Sequence, residues 1–239
     1  VTPQGLLIGT ATGLMRLQQG RIDSYGQTLG LPAQAIYGLT ADSDGRVWIV
    51  GHAGMAMLQA DGRLQQWQPR RDLPAQAVFD LHHDADGTLW LASDAGLLRL
   101  RDGQVTTFDH RNGLPRNKVF RIIDDGRGHF WLSSNQGVFR IGRADLERVG
   151  SDPGQLLSVD VPDVSDGMPS RQVNGASAPA GWLHADGRLL FPTGRGLAVI
   201  DPALVGNERL RAPPVRLETL SADGNVQVLQ GEGVQLPAN

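Results

Sequence analysis

Residues 86–100 read DGTLWLASDAGLLRL, and this stretch decides the fold. It combines a tight turn at Asp86-Gly87, an apolar strand that contains Trp90, a loop, and a second strand that starts at Gly96. An Asp-Gly pair suits a two-residue hairpin connection, because glycine accepts the positive φ that such turns require. The stretch therefore predicts two antiparallel strands joined by short turns.

The same pattern recurs along the chain. A glycine follows a tryptophan by six residues at Trp48 with Gly54 and again at Trp131 with Gly137. Two weaker copies have leucine in the tryptophan position, namely Leu7 with Gly13 and Leu190 with Gly196. The glycines of the five copies are spaced by 41, 42, 41 and 59 residues. A period near 41 residues is typical of an array of one supersecondary unit.

One complete unit is readable in the second copy. It has four predicted strands, at residues 36–40, 47–50, 55–58 and 64–67. Four strands per period of this length are the unit of a β-propeller, in which Trp48, Trp90 and Trp131 should pack between consecutive blades. The first copy shows three strands, the last at residues 21–25, and a short helical insertion is predicted at residues 143–148.

Composition excludes several classes of protein. The chain has 239 residues, 31 glycines, 14 prolines, no cysteine and a formal charge of −3. This charge gives no basic field for nucleic acid, and no run of 18 apolar residues is present to span a membrane. The first residues lack the pattern of a signal peptide, and we expect the chain to be cut at both ends.

The repeat resembles a known family. Residues 42–48 (DSDGRVW) and 84–90 (DADGTLW), each followed by a Gly-containing strand, resemble the two-component regulator propeller repeat. Residues 166–202 resemble the last repeat of such arrays, and residues 213–215 resemble the opening of the β-sandwich that follows them. The resemblance implies the periplasmic sensor region of an inner-membrane receptor with a histidine kinase or diguanylate cyclase output.

The domain prediction combines the repeat with this resemblance. We expect an all-β chain: a β-propeller fragment of four-stranded antiparallel blades at residues 1–211, with about five repeats of a seven-bladed ring. Residues 212–239 should form a linker and the first strands of a β-sandwich. An incomplete ring leaves open blade faces, so a homodimer or a covering segment is expected. Contact with the membrane is expected only through a segment outside this chain.

The candidate ligand-binding residues precede the first strand of each blade. These polar side chains are Gln34, Gln76, Asn117 and Arg171, with Lys118 and Asn174 added from neighbouring positions. Radial repetition would bring them to one mouth of the channel, where amide and cationic groups suit hydroxyl-rich or anionic ligands. The competing interpretation is that they satisfy loop backbone groups.

No cofactor or metal is predicted. The Asp42-x-Asp44-Gly45 pattern lacks the glutamate that a calcium loop needs at its twelfth position, which is Ala53. His82 and His83 should point to opposite faces of a strand and not share one metal. The resemblance to the regulator propeller family implies, as the leading function, sensing of a small-molecule or glycan ligand. A propeller lyase and a protein-interaction scaffold remain as alternatives.

Overall fold

The computed structural model describes residues 5–42, 44–152, 154–162, 167–175, 179–205, 219–222 and 225–228. The chain divides into two compact units, Val1–Pro202 and Ala203–Asn239. In the described residues of the first unit, the strands form five antiparallel sheets in chain order, which we call blades 1 to 5. The predicted all-β propeller with four-stranded blades is confirmed, while the size of the ring stays a prediction.

The strands of each blade follow the repeat. Blade 1 contains β1 (Leu6–Thr10), β2 (Gly13–Gln18) and β3 (Arg21–Asp23). Blade 2 contains β4 (Ile36–Ala41), β5 (Val47–Gly51), β6 (Gly54–Leu58) and β7 (Leu64–Trp67). Blade 3 contains β8 (Val78–His83), β9 (Leu89–Ser93), β10 (Gly96–Arg101) and β11 (Gln104–Phe108). Blade 4 contains β12 (Arg121–Asp124), β13 (His129–Ser134), β14 (Gly137–Gly142) and β15 (Val159–Asp160). Blade 5 contains β16 (Trp182–Leu183), β17 (Leu189–Thr193) and β18 (Gly196–Ile200).

The first strands of blades 1 to 4 lie together on the inside of the array. β1 contacts β4, β4 contacts β8, and β8 contacts β12. The second strands, by contrast, are buried on both faces, as β5 and β9 show along their whole length. The first strands therefore line the axis, and the continuous apolar runs of the second strands form the core between blades.

Two of the repeated tryptophans contact the following blade, as predicted. The ring of Trp90 on β9 meets Phe130 of blade 4 edge-on, with centroids 5.2 Å apart. Trp48 on β5 stacks on His83 of blade 3 at 5.9 Å. Trp131 is fully buried, and its packing against blade 5 stays a prediction. The indoles of Trp48 and Trp90 thus cover surface that one blade could not bury alone.

The glycine six residues after each tryptophan is required by the backbone. Gly96 begins β10 with φ +125°, and a Cβ there would overlap the carbonyl oxygen of Phe108 on the next strand. Only glycine combines this φ with so close an approach of two strands.

Among the described residues, two helices interrupt the strand pattern. α1 (Tyr25–Thr28) corrects the prediction of a strand at residues 21–25, because β3 ends at Asp23 and the Tyr25 ring turns into the core beneath the guanidinium of Arg16. α2 (Arg143–Ser151) confirms the predicted insertion and extends it by three residues. A single 3₁₀ turn covers His110–Asn112.

Blade 5 departs from the others. Val173 pairs with Thr193 at one end of β17, whereas Trp182 pairs with Leu190 near the other end. The inner strand of this blade is therefore split. One face of the blade is buried, with Leu189, Phe191 and Ala198 almost inaccessible. The opposite face is apolar and open, with Trp182, Leu197 and Val199 each about half exposed.

The second unit is described by one hairpin, in which β19 (Thr219–Ala222) pairs antiparallel with β20 (Asn225–Val228). The predicted linker at residues 212–214 lies outside the described residues, so the domain boundary and the sandwich stay predictions. Among the described residues, no helix has both the length and the apolar character needed to cross a bilayer.

Candidate functional site

A cleft with a volume of about 490 Å³ opens along the inner strands. Its walls come from β1, β4, β8 and β12, and from Gly175, Pro179, Ala180 and Trp182 of blade 5. This volume lies in the range of small-molecule sites. We call it the axial cavity.

A β-bulge shapes the wall in three consecutive blades. The register of β4 on β5 slips between Ile36 and Gly38, and that of β8 on β9 slips between Val78 and Asp80. In blade 4, both Phe120 and Arg121 lie opposite Ser133, since the amide of Phe120 donates to the Ser133 carbonyl. The extra residues are Tyr37, Phe79 and Phe120. A bulge redirects its side chain, and here all three rings line the cavity.

The three rings form a continuous row. The centroids of Tyr37 and Phe79 are 5.3 Å apart, and those of Phe79 and Phe120 are 5.4 Å apart with the rings edge-to-face. A Cβ at Gly175 would overlap the Phe120 ring, so the glycine lets the backbone of blade 5 close against it. All three rings are half-buried. The row therefore offers apolar ring surface to a ligand without being part of the closed core.

An ion pair forms the floor beside this row. Asp80 Oδ1 accepts a hydrogen bond from Arg121 Nη1 at 2.9 Å, and Asp80 Oδ2 accepts one from the Ile122 amide at 2.9 Å. Burial raises the pKa of Asp80 even though Arg121 and these hydrogen bonds favour its charged form. The pair links blade 3 to blade 4 and leaves the floor electrically neutral.

One of the predicted site residues stands next to the aromatic row. Lys118 Nζ lies 5.4 Å from the centroid of Phe79 and 5.6 Å from that of Phe120. Lys118 itself is exposed. Its ammonium is therefore a cation at the rim of the cavity, held on two ring faces.

The other predicted residues lie in the segments that precede or interrupt the inner strands. The carboxamide oxygen of Gln76 accepts from Arg70, and that of Asn117 accepts from the His110 amide at 2.9 Å. The backbone N–H of Gln34 donates to the Pro32 carbonyl oxygen, and the backbone N–H of Asn174 donates to the Pro192 carbonyl oxygen. Arg171 lines a second, smaller cavity. None of the six predicted residues is among those that line the axial cavity, and their role in binding stays a prediction.

A polar cluster on the opposite side of blade 3 was not foreseen. His82 Nε2 lies 3.1 Å from Asp84 Oδ1 and 3.7 Å from Asp124 Oδ2. The Arg143 guanidinium bridges the same two carboxylates, at 2.5 Å and 2.7 Å. Burial would raise the pKa of Asp84, but the hydrogen bonds from Arg143 and Trp90 outweigh it and hold this pKa low. The guanidinium thus takes the place between the carboxylates that a cation would occupy.

A signal for the aromatic row was present in the sequence. Each Leu-Pro phrase ends in a β-branched residue, and the next residue is Tyr37, Phe79 or Phe120 in three successive repeats. The corresponding residue of the fifth repeat is Asn174. An aromatic residue at the same repeat position in three blades forms a row around the axis, because equivalent positions lie on equivalent strands.

Comparison with known proteins agrees with this architecture. Residues 30–53 match the family model described as two component regulator propeller. The chain carries this propeller repeat. The match covers the Leu-Pro phrase and β4 and β5, which are the parts that bring Tyr37 to the axis. A comparison with curated proteins finds no match.

Solved structures with the same fold include two extracellular domains and an enzyme. The extracellular domain of the hybrid two component system BT3049 from B. thetaiotaomicron aligns with a TM-score of 0.69 and 19% identity, over 94% of this chain and 31% of that one. The extracellular domain of the hybrid two component system BT4673 from the same organism aligns with a TM-score of 0.58 and 18% identity, over 81% and 28%. A streptogramin B lyase aligns with a TM-score of 0.52 and 18% identity, over 80% and 62%. The chain thus spans about a third of the length of the two extracellular domains.

Proposed function

We propose that this chain is part of the extracytoplasmic, ligand-sensing region of a transmembrane signalling receptor. The observation that carries the proposal is the axial cavity, whose aromatic row is built by the same bulge in three propeller repeats. The fold shared with extracellular domains of hybrid two component systems supports a sensing role over a purely structural one.

The ligand class and the compartment belong to the same proposal. Half-buried aromatic faces suit the apolar face of a sugar ring, so a glycan fragment is the leading ligand. The periplasm is the compartment in which such a receptor meets glycan fragments.

The predicted homodimer is part of the same proposal, and the open apolar face of blade 5 supports it. Binding would shift the population of receptor arrangements and be passed on to a cytoplasmic kinase or cyclase.

The alternative of a propeller lyase has less support. Such an enzyme would need a histidine and acidic groups at the channel, yet no histidine is among the described residues that line the axial cavity. The carboxylate among these lining residues is Asp80, and both of its oxygens already accept hydrogen bonds, one from Arg121 and one from the Ile122 backbone amide. The scaffold alternative predicts no small ligand at all.

The test is a thermal-shift screen with a panel of neutral and acidic tetrasaccharides. A true ligand raises the melting temperature by several degrees at saturation, since it binds only the folded state. The Tyr37→Ala variant should lose most of this shift. The matched control is Ile22→Ala, which removes an exposed side chain outside the axial cavity. No shift with any member of the panel, or an equal shift in the Tyr37→Ala variant, would overturn the proposal.

A further inference from the structure

The charges around the axial cavity are unbalanced. Asp80 and Arg121 form a 2.9 Å ion pair and cancel one another at the floor. Lys118 adds a positive charge at the rim. Among the described residues, no carboxylate lies within ion-pair distance of Lys118 Nζ, as the ion pairs of blades 3 and 4 all involve other cations. In the described part of the chain, the aromatic row therefore has one cation without a carboxylate partner beside it.

The position of this ammonium matters for any ligand that stacks on the row. Lys118 Nζ lies 5.4 Å and 5.6 Å from the centroids of Phe79 and Phe120, two of the rings that line the axial cavity. The ammonium is therefore close to any ring that stacks on this row. A neutral ring offers it no partner. A carboxylate on that ring offers it a charge-assisted hydrogen bond.

We propose that the axial cavity selects ring compounds that carry a carboxylate, and that Lys118 is the residue that recognises this charge. The ring lies on Tyr37, Phe79 and Phe120, and the carboxylate pairs with Lys118 Nζ at the rim. This inference rests on the proposed function, since it names the ligand class of the same site. A sugar acid and an aromatic acid share the required chemistry, and the experiment distinguishes them.

Two matched pairs of probes test the charge preference by calorimetric titration at low salt. The first pair is galacturonate and galactose, and the second is phenylacetate and phenylacetamide. In at least one pair, the acid should bind about tenfold more tightly than its neutral partner, the size expected for one hydrogen bond to a charged group. A preference within the galacturonate pair alone assigns a sugar acid, and one within the phenylacetate pair alone assigns an aromatic acid.

Variants of the lysine assign the preference to its charge. Lys118→Met keeps the length of the side chain and removes the ammonium, so the acid and its neutral partner should bind equally. Lys118→Arg should keep the preference. The matched control is Arg116→Met, which removes an exposed cation two residues away whose guanidinium donates to the Pro115 carbonyl and does not lie over the aromatic row. Equal melting temperatures of the variants show that the fold is intact.

Three results would overturn the inference: neither pair shows a preference, Lys118→Met keeps it, or Arg116→Met removes it equally. These outcomes are distinct from a failure of the proposed function. If neutral tetrasaccharides still raise the melting temperature and Tyr37→Ala abolishes that shift, the sensing site stands and only the charge recognition fails.

Discussion

The indole Nε1 of Trp90 donates a hydrogen bond to Asp84 Oδ2 over 2.7 Å. The same bond joins Trp48 to Asp42 at 2.9 Å and Trp131 to Asp125 at 3.0 Å. The aspartate of each hairpin turn thus satisfies the one polar atom of the tryptophan that fills the space between blades. In each of these repeats, a hydrogen bond therefore connects the hairpin turn to the tryptophan of the second strand.

Replacement of Asp84 by alanine should destabilise the protein by about 2 kcal/mol, because a buried indole donor and Arg143 each lose a partner. Urea denaturation followed by circular dichroism measures this change. Asp86→Ala is the control, since this exposed carboxylate in the same turn contacts no tryptophan and should cost less than half as much. Equal losses in the two variants would show that the indole bond contributes nothing.

Stability should fall in acid partly through Asp84. Its pKa lies below the ordinary value near 3.8 in the folded protein, so its ionised form stabilises the fold above that value and the contribution is lost as the pH falls. Urea denaturation at pH 7, 5, 4 and 3 should show a smaller acid-induced loss in Asp84→Asn than in the unchanged protein. Parallel pH profiles would contradict this assignment.

Removal of the Trp90 side chain should cost about 3–5 kcal/mol, because it opens a large cavity between blades 3 and 4. Trp182→Ala is the comparison, since that ring is 55% exposed at the axial cavity and is not part of the buried core. Its effect on the urea midpoint should be minor. A small loss for Trp90→Ala would mean that the blades do not depend on the repeated indole.

Alanine substitutions at two glycines distinguish the destabilisation caused by backbone strain from that caused by a steric overlap. Gly103→Ala places a Cβ at φ +75° in open space, so about 1 kcal/mol of backbone strain is expected. Gly96→Ala adds an overlap with the Phe108 carbonyl and should be clearly more harmful. Thermal unfolding of both variants gives the comparison. Equal melting temperatures would show that the strand approach at Gly96 is not rigid.

The sequence predicted the parts of the fold that local chemistry determines. The Trp–Gly spacing located β5, β9 and β13, because a hairpin turn and a buried apolar strand both leave clear patterns. The end of β3 was missed, since Tyr25 has a high strand propensity and its burial in the core beneath Arg16 is a tertiary contact that the local sequence does not show.

The site was harder to predict than the fold. A bulge depends on the pairing register of two strands, so Tyr37 and Phe79 resemble ordinary strand residues in the sequence although the structure turns them to the axis. The contact of Lys118 with Phe79 likewise joins two blades. The sequence predicted binding residues in the loops before the inner strands. The structure places the cavity-lining rings at the start of the inner strands themselves.

The most direct test of the central claim is hydrogen–deuterium exchange with the tetrasaccharide that gives the largest thermal shift. Binding in the axial cavity predicts slower exchange in β4, β8 and β12, with little change in β7 and β11 on the outside. Protection restricted to the loops around Gln34, Gln76 and Arg171, or no protection at all, would contradict the account.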